Sequence, residues 1–207
     1  MLPNHTFGDS RPMPRFQFAA AAVLVAVALV ACSSSATPTA TATAQQSATG
    51  PFPSAGVVAE LEALIPDTIG GFAMLKQSMK GSDMAASGSG DAAAEKFIQD
   101  LGVSPDSIAV AFGYGTNADA TDGAAMFVFQ ATGAGRERLV QVFKGAQDAQ
   151  GSTAMAWETK SAAGKQVEVS TTPAGAQTIY LYATDDVLFE LAVNDVDAAT
   201  AVIASLP

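Results

Sequence analysis

Thr178-Ile179-Tyr180-Leu181-Tyr182-Ala183-Thr184-Asp185-Asp186-Val187-Leu188-Phe189-Glu190-Leu191-Ala192-Val193 is the stretch that decides the fold. Two runs of β-branched, aromatic and aliphatic residues flank a short polar turn at Thr184 to Asp186, the pattern of a β-hairpin. Ile179, Leu181 and Val187 are expected to build one face. Tyr180, Tyr182 and Leu188 are expected to point to the other. Both strands therefore carry bulky groups on both sides, so each side needs either a covering layer or a ligand or partner.

Working outward, Ile108, Val110, Phe112 and Tyr114 alternate with the small residues Ala109, Ala111 and Gly113, which predicts a strand with one bulky and one small face. Across a polar loop, residues 124 to 131 set Met126 and Val128 against Phe127 and Phe129. A strand apolar on both sides is expected near the sheet centre. Met155 with Trp157, then Val167 with Val169, predict two strands joined through Ala163-Gly164, and a weaker strand covers Phe72 to Met79. Helices are predicted from Val57 to Ile65, stopped by Pro66, and from Asp91 to Gly102, where Ala94, Phe97, Ile98 and Leu101 share a face. Another is predicted around Leu139, Val142, Phe143 and Ala146. The last starts near Asn194 or Asp195. Short turns require antiparallel neighbours. The expected fold class is α+β, a mostly antiparallel sheet of about six or seven strands with helices packed on one face. A helix-strand-strand unit recurs weakly near 92 to 131 and 136 to 171.

The N-terminal part carries different information. Arg11 and Arg15 precede Phe18 to Ala31, an uncharged run of mostly Ala, Val and Leu, and the single cysteine, Cys32, follows directly. This is the layout of an export signal. Leu29-Val30-Ala31-Cys32 looks like the lipobox of bacterial lipoprotein precursors, with an aliphatic residue three before the cysteine and a small one before it. The resemblance implies cleavage between Ala31 and Cys32 and a diacylglyceryl group on the Cys32 thiol, labelled by palmitate. It implies a cell-envelope protein, anchored to the outer face of the cytoplasmic membrane or to the outer membrane. Two acyl chains give the stable attachment that one does not. Starting at Met13 would place Met-Pro-Arg just before the apolar run, so Met13 is the expected start.

The chain thus divides into a signal peptide over 1–31, a lipidated cysteine with a Ser/Thr/Ala/Pro tether over 32–55, and a single extracytoplasmic domain over 56–207. None of residues 33–55 is charged, and that stretch has too little apolar bulk to offset the entropy of ordering it. As a random coil it reaches roughly 25 to 30 Å. After residue 31 there are 8 Lys and Arg against 19 Asp and Glu, a formal charge of -11. That balance repels phosphate backbones, so no nucleic-acid partner is expected. It also leaves the acyl chains, rather than electrostatics, as the membrane contact.

The single histidine, His5, lies in the leader, so the mature part has neither histidine nor a free thiol. Ser-His-Asp and Cys-His catalysis and histidine-ligated zinc are thereby excluded there. No catalytic residue, metal or cofactor is expected. Asn117, Asp119 and Asp122 lack the glycine and distal glutamate of a calcium loop and read as a hairpin loop. Asp185-Asp186 reads as a turn, and Asp195 with Asp197 as a helix start. Ser82 to Gly90 reads as a connection, and Ser78 with Lys80 as the polar end of a strand.

The expected function is a non-catalytic binding module for an envelope protein or a hydrophobic ligand. A ligand would be held by Phe127, Phe129, Tyr180, Tyr182 and Leu188. One alternative is a lipid or lipoprotein carrier, for which a cavity lined by those five residues would speak. Another is a carboxylate-based hydrolase, which needs two acids with separated pKa values converging in a cleft.

Overall fold

A computed structural model describes residues 53–87, 92–119, 122–150, 155–171 and 177–207. Residues 1–52, which include the expected leader, Cys32 and most of the expected tether, lie outside the described residues. In chain order the elements are α1 (Ala59–Glu62), β1 (Thr68–Ile69), β2 (Phe72–Ala73), β3 (Leu75–Lys80), α2 (Gly81–Ser87) and α3 (Ala92–Leu101). A 3-10 turn at Pro105–Ser107 leads into β4 (Ile108–Thr116), β5 (Gly123–Ala131) and α4 (Arg136–Gln150). The strands β6 (Glu158–Ala162), β7 (Lys165–Thr171), β8 (Thr178–Ala183) and β9 (Val187–Val193) precede α5 (Val196–Ser205).

Among the described residues the main sheet has seven strands in the order β3-β4-β5-β9-β8-β7-β6, antiparallel throughout, and β1 with β2 forms a small separate hairpin. The fold is α+β. Two meanders, β3 to β5 and β6 to β9, meet at the β5–β9 pair, so the strands apolar on both sides occupy the centre. Helix α4 carries the chain from the centre to the far edge, because a direct turn from β5 can reach only its immediate neighbour.

The helices cover both faces rather than the one face expected. On one face α1, the residues after it and α5 bury Leu61, Ile65, Val202 and Ile203 against Met126, Val128, Phe189 and Leu191. On the other α2, α3 and α4 bury Met84, Phe97, Leu139 and Phe143 against Val110, Phe129, Leu181 and Leu188. The physical reason lies in β5 and β9 themselves. A sheet whose central strands are apolar on both sides leaves a large patch in water unless both sides are covered.

The small face of β4 has a steric cause. A Cβ on Gly115 would lie 2.5 Å from the Ala73 carbonyl oxygen, and one on Gly113 would lie 2.9 Å from Ile65 Cγ2. The β1–β2 hairpin and the residues after α1 therefore rest directly on this strand. Three local expectations also shift. The first helix is only four residues long, Gly81–Ser87 is helical rather than a simple connection, and β6 begins at Glu158, leaving Met155 and Trp157 ahead of it. The β6–β7 turn forms at Ala163 and Gly164, whose φ angles of 49° and 77° suit a two-residue hairpin loop. Among the described residues no helix is long and apolar enough to cross a membrane.

Candidate functional site beneath the fourth helix

The five residues expected to hold a ligand do not share a surface. Tyr182 pairs with Phe189, and Ala183 pairs with Leu188. Tyr180 and Tyr182 therefore lie on the α5 side, while Leu188 joins Phe127 and Phe129 on the α4 side. The turn explains the error. The Thr184 N–H donates to the Val187 oxygen at 2.8 Å, leaving Asp185-Asp186 as a two-residue loop. That register sets Leu188 opposite the tyrosines' side. Phe127, Phe129 and Phe143 pack against one another, and Phe129 and Phe143 pack edge-on against Phe97, at centroid distances of 5.4 to 6.2 Å. Tyr182 is equally occupied. Its hydroxyl donates to the Pro207 backbone oxygen at 2.7 Å, its ring stacks on Phe189, and Lys165 Nζ lies 5.0 Å from it. The same lysine donates to the Leu206 carbonyl.

The chemically unusual residue is Glu190, which sequence reading passed over. It sits on the central strand β9, only 4% exposed, on the side covered by α4. Its cross-strand neighbours are Phe127 on β5 and Leu181 on β8. Its hydrogen-bond partner is Gln147 of α4, also buried, whose Nε2 donates to the two carboxyl oxygens at 3.3 and 3.2 Å. A charged carboxylate there would be costly, because one neutral amide replaces a full hydration shell. Burial pushes the Glu190 carboxyl up to about 8, with the Gln147 amide acting weakly in the opposite direction. At neutral pH it is mostly the neutral acid. The available signal was a lone acid within an otherwise apolar strand at the centre of the sheet.

Further along the same row of the sheet stands Glu168, paired with Leu181 across β7 and β8. Lys144 of α4 donates to Glu168 Oε2 at 2.8 Å, and Thr159 donates to Oε1 at 2.7 Å. These two bonds, Lys144 first, hold the Glu168 carboxyl below its ordinary range. Lys144 Nζ also lies 5.5 Å from the Trp157 ring. Two buried polar atoms on this side, Trp157 Nε1 and Ser170 Oγ, have no hydrogen-bond partner among the described residues. A groove of about 660 Å³ runs along this flank of α4, lined by Arg136, Lys144, Asp148, Glu168 and Leu181 among others. A second, of about 960 Å³, lies between α3 and α4, with Phe97, Asp100, Arg138 and Ala146 in its walls. Both are open, and α4 is the wall they share.

The other candidates resolve into structure. Asn117 Oδ1 accepts from the Asp122 N–H, and Asp122 Oδ1 from the Gly123 N–H, which closes the β4–β5 loop. Asp195 caps α5 by accepting from the N–H groups of Asp197 and Ala198. Asp186 accepts from the Gly133 N–H at 2.9 Å. Ser78 is fully buried, donating to Glu62 at 2.6 Å and accepting from the Val58 N–H at 2.7 Å, while Lys80 is exposed. Among the described residues no cluster of His, Cys, Asp and Glu gathers as metal ligands would. No family model, no curated protein and no solved structure matches this chain.

Proposed function

We propose that this chain is a lipid-anchored extracytoplasmic lipoprotein of the bacterial cell envelope whose folded part is a non-catalytic binding module for a protein partner. The anchor reading rests on Leu29 to Cys32, and the uncharged residues of the tether would let the folded part range over the membrane surface. The observation that carries the choice of partner over hydrophobic ligand is the packing of the expected ligand residues. All five are divided between two packed layers, and two open grooves with charged walls run along α4. Native mass spectrometry of the chain released from its acyl chains separates the two readings. An apo mass is expected, whereas a co-purifying lipid would favour the carrier.

A second reading has one observation in its favour. Glu168 and Glu190 lie on one row of one sheet face, with their carboxyl pKa values moved in opposite directions, as an acid–base pair in a hydrolase requires. Against it, Leu181 stands between them and Glu190 has no part in the walls of the groove. Turnover of chromogenic glycosides or esters that disappears in both Glu168→Gln and Glu190→Gln would favour the hydrolase.

A further inference from the structure

Helix α4 docks on the sheet through Leu139 and Phe143, both fully buried, and one turn further on through Gln147. We propose that Glu190 and Gln147 form a proton-operated latch, in which the protonated acid lets the C-terminal half of α4 lie against β8 and β9 and the carboxylate releases it. The latch goes beyond binding as such, because α4 is the common wall of both grooves.

Among the described residues, no cation faces Glu190 to keep a carboxylate in place. On α4, Lys144 is engaged by Glu168, and Asp148 accepts from the Met155 N–H. Arg136, Glu137 and Arg138 sit at the opposite end of the helix, with Arg138 Nε donating to the Asp100 carbonyl. On α3, Lys96 and Asp100 pair with each other on the exposed side, Glu95 is also exposed, and the buried contact is Phe97. On β5 and β8 the facing neighbours are Phe127 and Leu181, and on β7 the charged group is Glu168. An ionised Glu190 must therefore either stay dry with one amide or gain water. Water has a short route, since Leu181, directly beside Glu190, already lines the groove along α4. Gly145 lies within the moving half, where its lack of a side chain weakens the helix. With burial pushing the Glu190 carboxyl up to about 8, the release falls in mildly alkaline conditions.

The chain's one tryptophan, Trp157, beside Lys144, reports on this contact. Its fluorescence would be titrated from pH 6 to 10 in the full chain in mild detergent, alongside hydrogen exchange of α4 and α5 amides corrected for the intrinsic pH dependence. The expected result is one transition near pH 8, in which amides around Gln147 lose at least tenfold protection while those of α5 keep theirs. Glu190→Gln should abolish the transition. Gln147→Leu should move it to higher pH, since the amide favours the carboxylate, and this variant decides the matter if Glu190→Gln does not fold. An unchanged midpoint in either variant, simultaneous loss of protection in α4 and α5, or full protection of α4 up to pH 10 would each overturn the latch.

Discussion

Glu190 also governs how global stability responds to pH. Its carboxyl rises from an ordinary 4.5 to about 8 on folding, so between those values the native state holds a proton that the unfolded chain has released. Stability must then fall as pH rises through that window, and level off above it. For this one group the loss between pH 5 and 7 is roughly 2 to 3 kcal/mol. Urea unfolding should show Glu190→Gln losing little over the same range, and a parallel loss in both proteins would contradict the assignment. Glu168 works in the opposite sense: its lowered pKa contributes stability above 4.5 that disappears as pH falls through its folded value. Ser78 makes a different prediction. Ser78→Ala removes the acceptor of the Val58 N–H and should cost about 1 to 3 kcal/mol. Lys80→Met, at an exposed position, should change thermal stability by less than about 0.5 kcal/mol.

At the scale of elements, α4 is held chiefly by Phe143, whose ring meets Phe97, Phe127 and Phe129. Phe143→Ala should destabilise by roughly 3 to 5 kcal/mol, measured by chemical denaturation. Asp195→Ala should cost about 0.5 to 2 kcal/mol through its lost cap on α5. The elements themselves were largely legible in the residues. The 3.6 period of Ala94, Phe97 and Leu101 and the alternation from Ile108 to Tyr114 name α3 and β4, because those patterns follow directly from backbone geometry. Layering was harder to read, since a strand such as Val187 to Val193, apolar on both sides, specifies that both faces be covered but not by which helices. The register of the last hairpin depends on whether Asp185-Asp186 alone forms the loop, and a one-residue difference moves Leu188 to the other side. The Glu190–Gln147 contact joins residues 43 apart. No local pattern encodes such a pair.

For the whole molecule, the charge of -11 after residue 31 and the uncharged residues 33–55 would suit the proposed anchoring, in which acyl chains rather than electrostatics hold an acidic body at an anionic surface. Helices cover the central strands on both faces, so the proposed partner would meet the outer side of α3 and α4, the open groove beside α4 and the strand edges. The proposed anchoring turns on lipidation of Cys32 outside the cytoplasm. The direct measurement is radiolabelled palmitate incorporation with membrane fractionation, comparing the natural chain with Cys32→Ser. Label and membrane association are expected in the former and neither in the latter; label persisting on Cys32→Ser, or an unlabelled natural chain retaining residues 1–31 in the cytosol, would contradict the anchor.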